Sequence, residues 1–353
     1  MYFDALTTAA MVDELQAALA GGRVQEVLLV DPLSLALEVY AGRERRYLLL
    51  SAEAIHPRAH LLGQRPRRGP ESPTPLLLLA RKHLRGARLE RVSQPDFERI
   101  LSLELAGATG RLTLLAEIMG RRSNVILVAE DGVVMEAIRR VTPQQSRRPV
   151  LPHRPYEPPP PLAKPSAASL TPSRLRALLA EGSGPLWRRL VGAVAGMSPL
   201  LAREVVFRAA GDAEALEAEP AALLTVARSL LVELPAAHAW APTVGLAAGR
   251  AAAYAPYPLT HLDQAHPTQS MSAAIEAFLQ AGGGLEPYAA ARATVRRALQ
   301  AAREREARRR AAIARDLRPA SEIGRLRQAG EWVLACATQI RPGQEELVVE
   351  GPG

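Results

Sequence analysis

The sequence predicts an α+β chain, with an antiparallel β-rich N-terminal domain that includes helices, then an all-helical domain and part of a coiled-coil arm. Three observations lead there. Short apolar runs of strand length recur between residues 24 and 138, prolines crowd residues 143–165, and helical patterns fill most of the rest. At 353 residues the chain exceeds the size of one economical core, so two or three domains are expected.

The first helix is expected over Thr7–Leu19, with Thr7 as a cap signal and Met11, Leu15 and Leu19 spaced four apart. Gly21 and Gly22 end it. Val24–Val30, Leu35–Tyr40 and Tyr47–Ser51, separated by Asp31-Pro32 and by residues 42–46, predict an antiparallel meander. Leu76–Leu84 follows as a helix, and Ile100–Leu105, Arg111–Glu117, Asn124–Ala129 and Val133–Ile138 as four further strands. These elements make a first domain over residues 1–142.

The proline-rich stretch, including Pro158 to Pro161, predicts an extended linker over 143–170. Helical patterns over 171–235 are broken by Gly196-Met197-Ser198-Pro199, which suggests a helix-hairpin-helix whose turn exposes backbone N–H groups to phosphate, although a plain helix connection has the same signature. Residues 236–290 are expected to return and pack on the first domain. Residues 291–353 begin an arm rich in Ala, Arg and Glu, with Val295, Leu299, Ala302 and Ile313 as a sparse seam.

A formal net charge of +8 and a pI near 10.2 point toward a polyanionic partner. Nearly all of that charge is Arg, an imbalance that a GC-rich genome also produces. Cys336 is the only cysteine, which rules out an intrachain disulfide or thiolate cluster. His56 and His60 lack a joining carboxylate or thiolate, so neither a metal nor another cofactor is expected, and no constellation suggests catalysis. Acidic residues Asp4, Asp13 and Glu14 stand where a signal peptide needs positive charge, and no apolar run has membrane-spanning length, so a soluble cytoplasmic protein is expected.

Three segments carry the candidate binding residues. Arg81, Lys82, His83, Arg85 and Arg88 fall within one expected helix and its cap, where they could lie along a phosphate backbone; a solvated helix face would carry the same charges. Glu98-Arg99 precedes a strand, and its guanidinium could read a phosphate or base edge bidentately. The loop Gly120-Arg121-Arg122-Ser123-Asn124 offers two more guanidiniums with short polar side chains, in what could also be a charged hairpin turn.

In this order the segments resemble the NFACT family, in its bacterial RqcH-like branch, formerly labelled fibronectin-binding protein A-like. The resemblance is carried by Phe3 to Thr7, Ser51 to Leu61 with Arg58 and His60, Arg81 to Ala87, Gln94 to Ile100, Glu117 to Leu127, Arg148 to Pro152 with Tyr156, Ser198 to Glu204 and Gly330 to Leu334. It implies an N-terminal domain similar to that of formamidopyrimidine-DNA glycosylases, but Met1-Tyr2 lacks their proline nucleophile. It also implies a ribosome quality control role: binding of the obstructed large ribosomal subunit with its rRNA, and recruitment of alanyl-tRNA for alanine tailing without mRNA, peptidyl transfer being the ribosome's.

The implied tRNA contacts are Arg81, Lys82, His83, Arg85, Glu98, Arg99, Arg121, Arg122, Ser123 and Asn124, with Gly196, Met197 and Ser198 as the helix-hairpin-helix turn. Two positions depart from the family pattern, Glu98 standing for Asp and Arg122 for His. The family also continues through a second arm and an RNA-binding domain, so the end at Gly353 suggests a fragment or a truncation. The alternatives are a generic nucleic-acid module, with DNA held by the hairpin, and an interaction protein of the fibronectin-binding class.

Overall fold

The computed structural model describes residues 3–67, 69, 73–108, 110–160, 163–282 and 289–348. The chain forms two compact units, Met1–Gly284 and Leu285–Gly353.

In the first unit α1 (Ala5–Leu19) leads into β1 (Arg23–Asp31), β2 (Ser34–Ala41), β3 (Glu44–Ser51) and β4 (Arg58–Leu62). The cap of α1 is Asp4, three residues before the expected Thr7; its Oδ1 accepts the Thr7 N–H at 2.9 Å. Helix α2 (Pro75–Leu84) follows, capped by Thr74 with Pro75 in its first turn, and then come β5 (Arg88–Ser93), β6 (Ile100–Gly107), β7 (Gly110–Glu117), β8 (Asn124–Ala129) and β9 (Val134–Ala137).

All nine strands join one antiparallel sheet in the order β4-β3-β2-β1-β5-β6-β7-β8-β9. Two hairpin-connected meanders therefore meet at β1 and β5. The seam is short, with Arg23 opposite Arg88, and is extended by backbone bonds such as Val24 N–H to the Ala87 carbonyl at 2.9 Å. Arg88 thus belongs to the sheet and not to the preceding helix. The apolar stripe of the first helix faces this sheet as expected: Met11, Leu15 and Leu19 are fully buried against strand residues including Leu37, Leu48 and Leu50. Burying each such side chain contributes roughly 1.5–3 kcal/mol.

The opposite face of β6–β9 is covered by its own cluster of Ile100, Leu115, Ile126, Val128 and Val150, with Val141 and Tyr156 packed against it. That is why β8 is apolar on both faces. Residues 141–156 run back along β9, bridging Val141 to Val150 and Val133 to Pro155. Much of the proline-rich stretch is therefore part of the sheet's cover.

Helices α3 (Pro172–Ala180), α4 (Leu186–Ala193), α5 (Pro199–Ala210) and α6 (Pro220–Arg228) form a second core. A π turn (Ser229–Glu233) leads from α6 into the short α7 (Leu234–Ala236), next to Pro235, which has no N–H for a regular helical bond. The chain then forms a small sheet of β10 (Thr243–Ala247), β11 (Arg250–Ala255) and β12 (Gln264–Pro267), followed by α8 (Met271–Gln280). Helix α8 packs on β4, α1, β10 and β11.

The second unit is built on α9 (Ala289–Ala335), a single helix of 47 residues. It passes through Gly330 without a break, because an isolated glycine weakens a helix by only about 1 kcal/mol. Among the described residues no helix is long and apolar enough to cross a membrane.

Candidate nucleic-acid interface

Glu98 and Arg99 sit where a 3-10 turn, Pro95–Phe97, opens into β6. The turn is held by the Gln94 amide, which donates to the carbonyls of Ala5 at 2.9 Å and Glu98 at 2.7 Å, and Phe97 takes a left-handed backbone conformation at φ 55°. Glu98 and Arg99 are half-buried, and the Glu98 carboxylate has no partner among the described residues.

Facing them is the connection between α4 and α5. Gly196 there has φ +75°, and a Cβ on it would stand 2.8 Å from the Phe97 ring, so glycine is required twice over. Ser198 caps α5, accepting the Leu201 N–H at 3.1 Å, and its hydroxyl donates to Asp4 Oδ2 at 2.6 Å. One buried carboxylate therefore links the N-termini of α1 and α5. Burial pushes the Asp4 carboxyl above its usual range, against the pull of bonds from Ser198 and Thr7 and of the Arg99 charge.

Between these parts lies a cavity of about 530 Å³, lined by Asp4, Phe97, Glu98, Arg99 and Lys164 together with Gly196, Met197 and Ser198. The Lys164 ammonium donates to the Val191 carbonyl at 2.8 Å, near the end of α4. The candidate pair and the candidate hairpin turn, about a hundred residues apart in sequence, share this one site. The Ser198 hydroxyl is engaged with Asp4 and with α5 itself.

A second cavity of about 840 Å³ opens on the other side of the β6–β7 pair, lined by Arg121, Arg122, Arg139, Arg140, Arg147 and Arg148 among others. The two candidate short side chains of this loop point inward. Ser123 Oγ accepts the Met119 N–H at 2.8 Å, and Asn124 bonds both the N–H and the carbonyl of Arg139. Both are buried, so they hold the loop and do not face solvent. At the cavity floor, buried Glu117 accepts both arms of the Arg148 guanidinium and the Tyr156 hydroxyl, the latter at 2.8 Å. Burial, then the Glu117 charge, pushes the Tyr156 phenol well up.

The basic helix α2 lines neither cavity. Its Arg81 Nε donates to the Val27 carbonyl at 3.0 Å, His83 is half-buried, and Lys82 and Arg85 are exposed. Among the described residues no group of three or more His, Cys, Asp or Glu could hold a metal ion; His60 is buried in β4, where desolvation lowers its pKa to about 3.

The family model of the NFACT N-terminal and middle domains matches residues 4–351. The chain belongs to the NFACT family. It is 32% identical over 217 residues to the Rqc2 homolog RqcH of Bacillus subtilis (strain 168), covering 59% of this chain and 38% of that protein. To the Rqc2 homolog RqcH of Streptococcus suis (strain 05ZYH33) it is 35% identical over 167 residues, 45% of this chain and 30% of the relative. The matched region thus spans less than two fifths of either relative's length. Among solved structures it resembles the fibrinogen binding protein from Staphylococcus aureus, with a TM-score of 0.65 and 25% identity over 79% of this chain and 99% of that one. The N-terminal part of the fibronectin/fibrinogen-binding protein from Streptococcus suis gives a TM-score of 0.64 and 26% identity, with the same coverage.

In this NFACT chain the sequence reasoning named Glu98, Arg99, Arg121 and Arg122, which line these cavities, but not Asp4, Lys164, Arg139 and Arg147, which line them as well. Asp4 had a local signal, an acceptor three residues before Thr7 at the start of an apolar helical pattern. The others had none, because loops from distant parts of the chain bring them in.

Proposed function

We propose that this chain is the tRNA-binding part of a ribosome quality control factor: it binds the obstructed large ribosomal subunit and recruits alanyl-tRNA for alanine tailing of the stalled nascent chain without mRNA. It supplies binding and positioning, while peptidyl transfer belongs to the ribosome. Membership of the NFACT family and likeness to proteins named as Rqc2 homologs support the role. The observation that carries the reading is the shared cavity, in which Arg99 and a Glu98 carboxylate with no partner among the described residues face the turn at Gly196, Met197 and Ser198. A guanidinium suits phosphate or a base edge, and a carboxylate beside RNA is repulsive unless it accepts from a specific group such as a base amine. Exposed Lys82 and Arg85 on α2 would add sequence-independent attraction to rRNA or tRNA phosphates.

Titrating purified tRNA with the chain across a salt series tests this. Arg99→Ala is expected to weaken binding about tenfold or more and to lower the log–log salt slope by about one unit. Glu98→Gln is expected to change which tRNA is preferred more than how tightly tRNA binds. Unchanged affinity and slope for Arg99→Ala, or a preference of the chain for duplex DNA over tRNA, would overturn the proposal.

A further inference from the structure

We infer that a row of arginines around an exposed tyrosine, on the outer face of the large sheet, is a docking surface for an acidic α-helix of a partner protein. None of these residues lines either cavity, and the inference is independent of the tRNA reading.

Directly opposite residues of antiparallel strands lie on the same face, so a row can be followed across the sheet. Arg45 of β3 lies opposite Tyr40 of β2, Tyr40 opposite Arg23 of β1, and Arg23 opposite Arg88 of β5. Arg88 in turn lies opposite Ala106 of β6, and Ala106 opposite Arg111 of β7. The residues next along these strands, Val24, Val39, Leu89, Leu105 and Leu112, turn into the core, so the row points the other way, into solvent. Its arginines are all exposed, and Tyr40 is 47% exposed.

The fold gives no reason for this composition. Like charges directly opposite one another destabilise a sheet, yet the pair that joins the two meanders is Arg23 with Arg88. Arg23 spends one N–H on the Gly86 carbonyl at 3.1 Å, and Arg88 has no partner among the described residues. Farther out, Arg45 and Arg111 reach Glu38 and Glu90 at 3.6 and 3.5 Å. Positive charge is therefore least compensated in the middle of the row, beside the tyrosine. Arg and Tyr are the residues that concentrate at the centres of protein interfaces.

Spacing and the charges at the ends of the row select the occupant. Neighbouring strands are about 4.8 Å apart, so the row advances by that step and spans roughly 24 Å over its six strands. Side chains along one face of a helix recur every three or four residues, roughly 5 Å, so a helix of about sixteen residues laid across the strands keeps step with the row. An extended peptide, with same-face residues about 6.7 Å apart, falls out of step. A polyphosphate strand would lie over exposed Glu44 at one end and over Glu90 and Glu130 at the other, and would be repelled there. A helix can instead set carboxylates over Arg23 and Arg88, an apolar side chain on Tyr40 and neutral side chains at its ends.

The test titrates the full chain at low salt with a fluorescent alanine-based helical peptide that carries glutamates and one leucine along a single face. Arg88→Gln is expected to weaken its binding about tenfold, and Tyr40→Ala by a similar factor, while Tyr40→Phe keeps it. Because Arg88 faces Arg23, Arg88→Gln should leave the thermal midpoint unchanged or raised. A lowered midpoint with unchanged peptide binding would mean that the row serves the fold, and the inference would be wrong. It would be wrong also if the wild type bound no peptide, or bound one with glutamine in place of glutamate equally well. A uridine oligomer that binds more tightly than the peptide and is lost with Arg88→Gln would make the row a nucleic-acid surface and overturn the inference in that way.

Discussion

Glu204 shows how a single buried residue joins distant parts of this chain. It lies on α5 with its carboxylate fully buried, accepting from Thr260 N–H and hydroxyl, His261 N–H and ring, and Arg208 Nε. Burial alone would raise its pKa; the bonds from His261, Thr260 and Arg208 outweigh that and bring it down to about 2. A carboxyl whose folded pKa lies below its unfolded value of 4.5 stabilises the fold fully above about pH 4.5 and loses that contribution as pH falls toward 2. Glu204→Gln should therefore cost about 3 kcal/mol at neutral pH and flatten the acid limb of a stability–pH curve. Equal acid sensitivity of wild type and variant in urea melts at several pH values would contradict this.

At the scale of elements, α9 contrasts with α1. Helix α1 buries Met11, Leu15 and Leu19, whereas on α9 Val295, Leu299, Ile313, Ile323, Leu326 and Val333 are exposed. A helix whose described apolar positions are exposed depends on local propensity, which Ala, Arg and Glu supply only in part, and Gly324 and Gly330 subtract from it. Amides of α9 are expected to exchange with solvent orders of magnitude faster than those of α1 in a dilute sample of the whole chain. Protection of α9 that rises with protein concentration would mean that its apolar positions pair between molecules, and full protection at low concentration would refute the expectation.

For the molecule, the decisive feature is that residues 236–282 return to the sheet that residues 3–137 began. The Glu14 carboxylate of α1 accepts the Met271 and Ser272 N–H groups at the start of α8, the Ser272 hydroxyl accepts from Leu61 N–H, and Asp13 takes the Trp240 indole. Leu6 of α1 and Tyr257 of the returning segment share the core of the helical part. The unit Met1–Gly284 should accordingly unfold in one thermal transition. Glu14→Ala, which leaves the first N–H groups of α8 without their acceptor, should shift that whole transition down by about 1–2 kcal/mol. Two separable transitions, or a shift confined to one of them, would show that the parts fold independently.

Sequence alone determined what depends on near neighbours. Apolar runs bounded by Gly, Asp-Pro and Asn marked seven of the strands, Thr74-Pro75 with its leucines marked α2, and the Ala-Arg-Glu stretch marked α9. It missed β10, β11 and β12 of the returning segment, and in the large sheet it missed β4, whose Arg58-Ala59-His60 hides a buried imidazole in a polar pattern, and β5, whose basic Arg88 looked like the tail of a helix. Both are strands because the sheet supplies partners for their backbone groups, a contribution that no local pattern records. The candidate sites divide in the same way. Glu98, Arg99, Arg121 and Arg122 were legible as charges in loops. Only tertiary structure decided that Asp4, Glu98, Arg99 and Ser198 meet at one cavity, and that Ser123 and Asn124 turn inward, because each depends on hydrogen bonds between residues that the chain brings together only after both cores have formed.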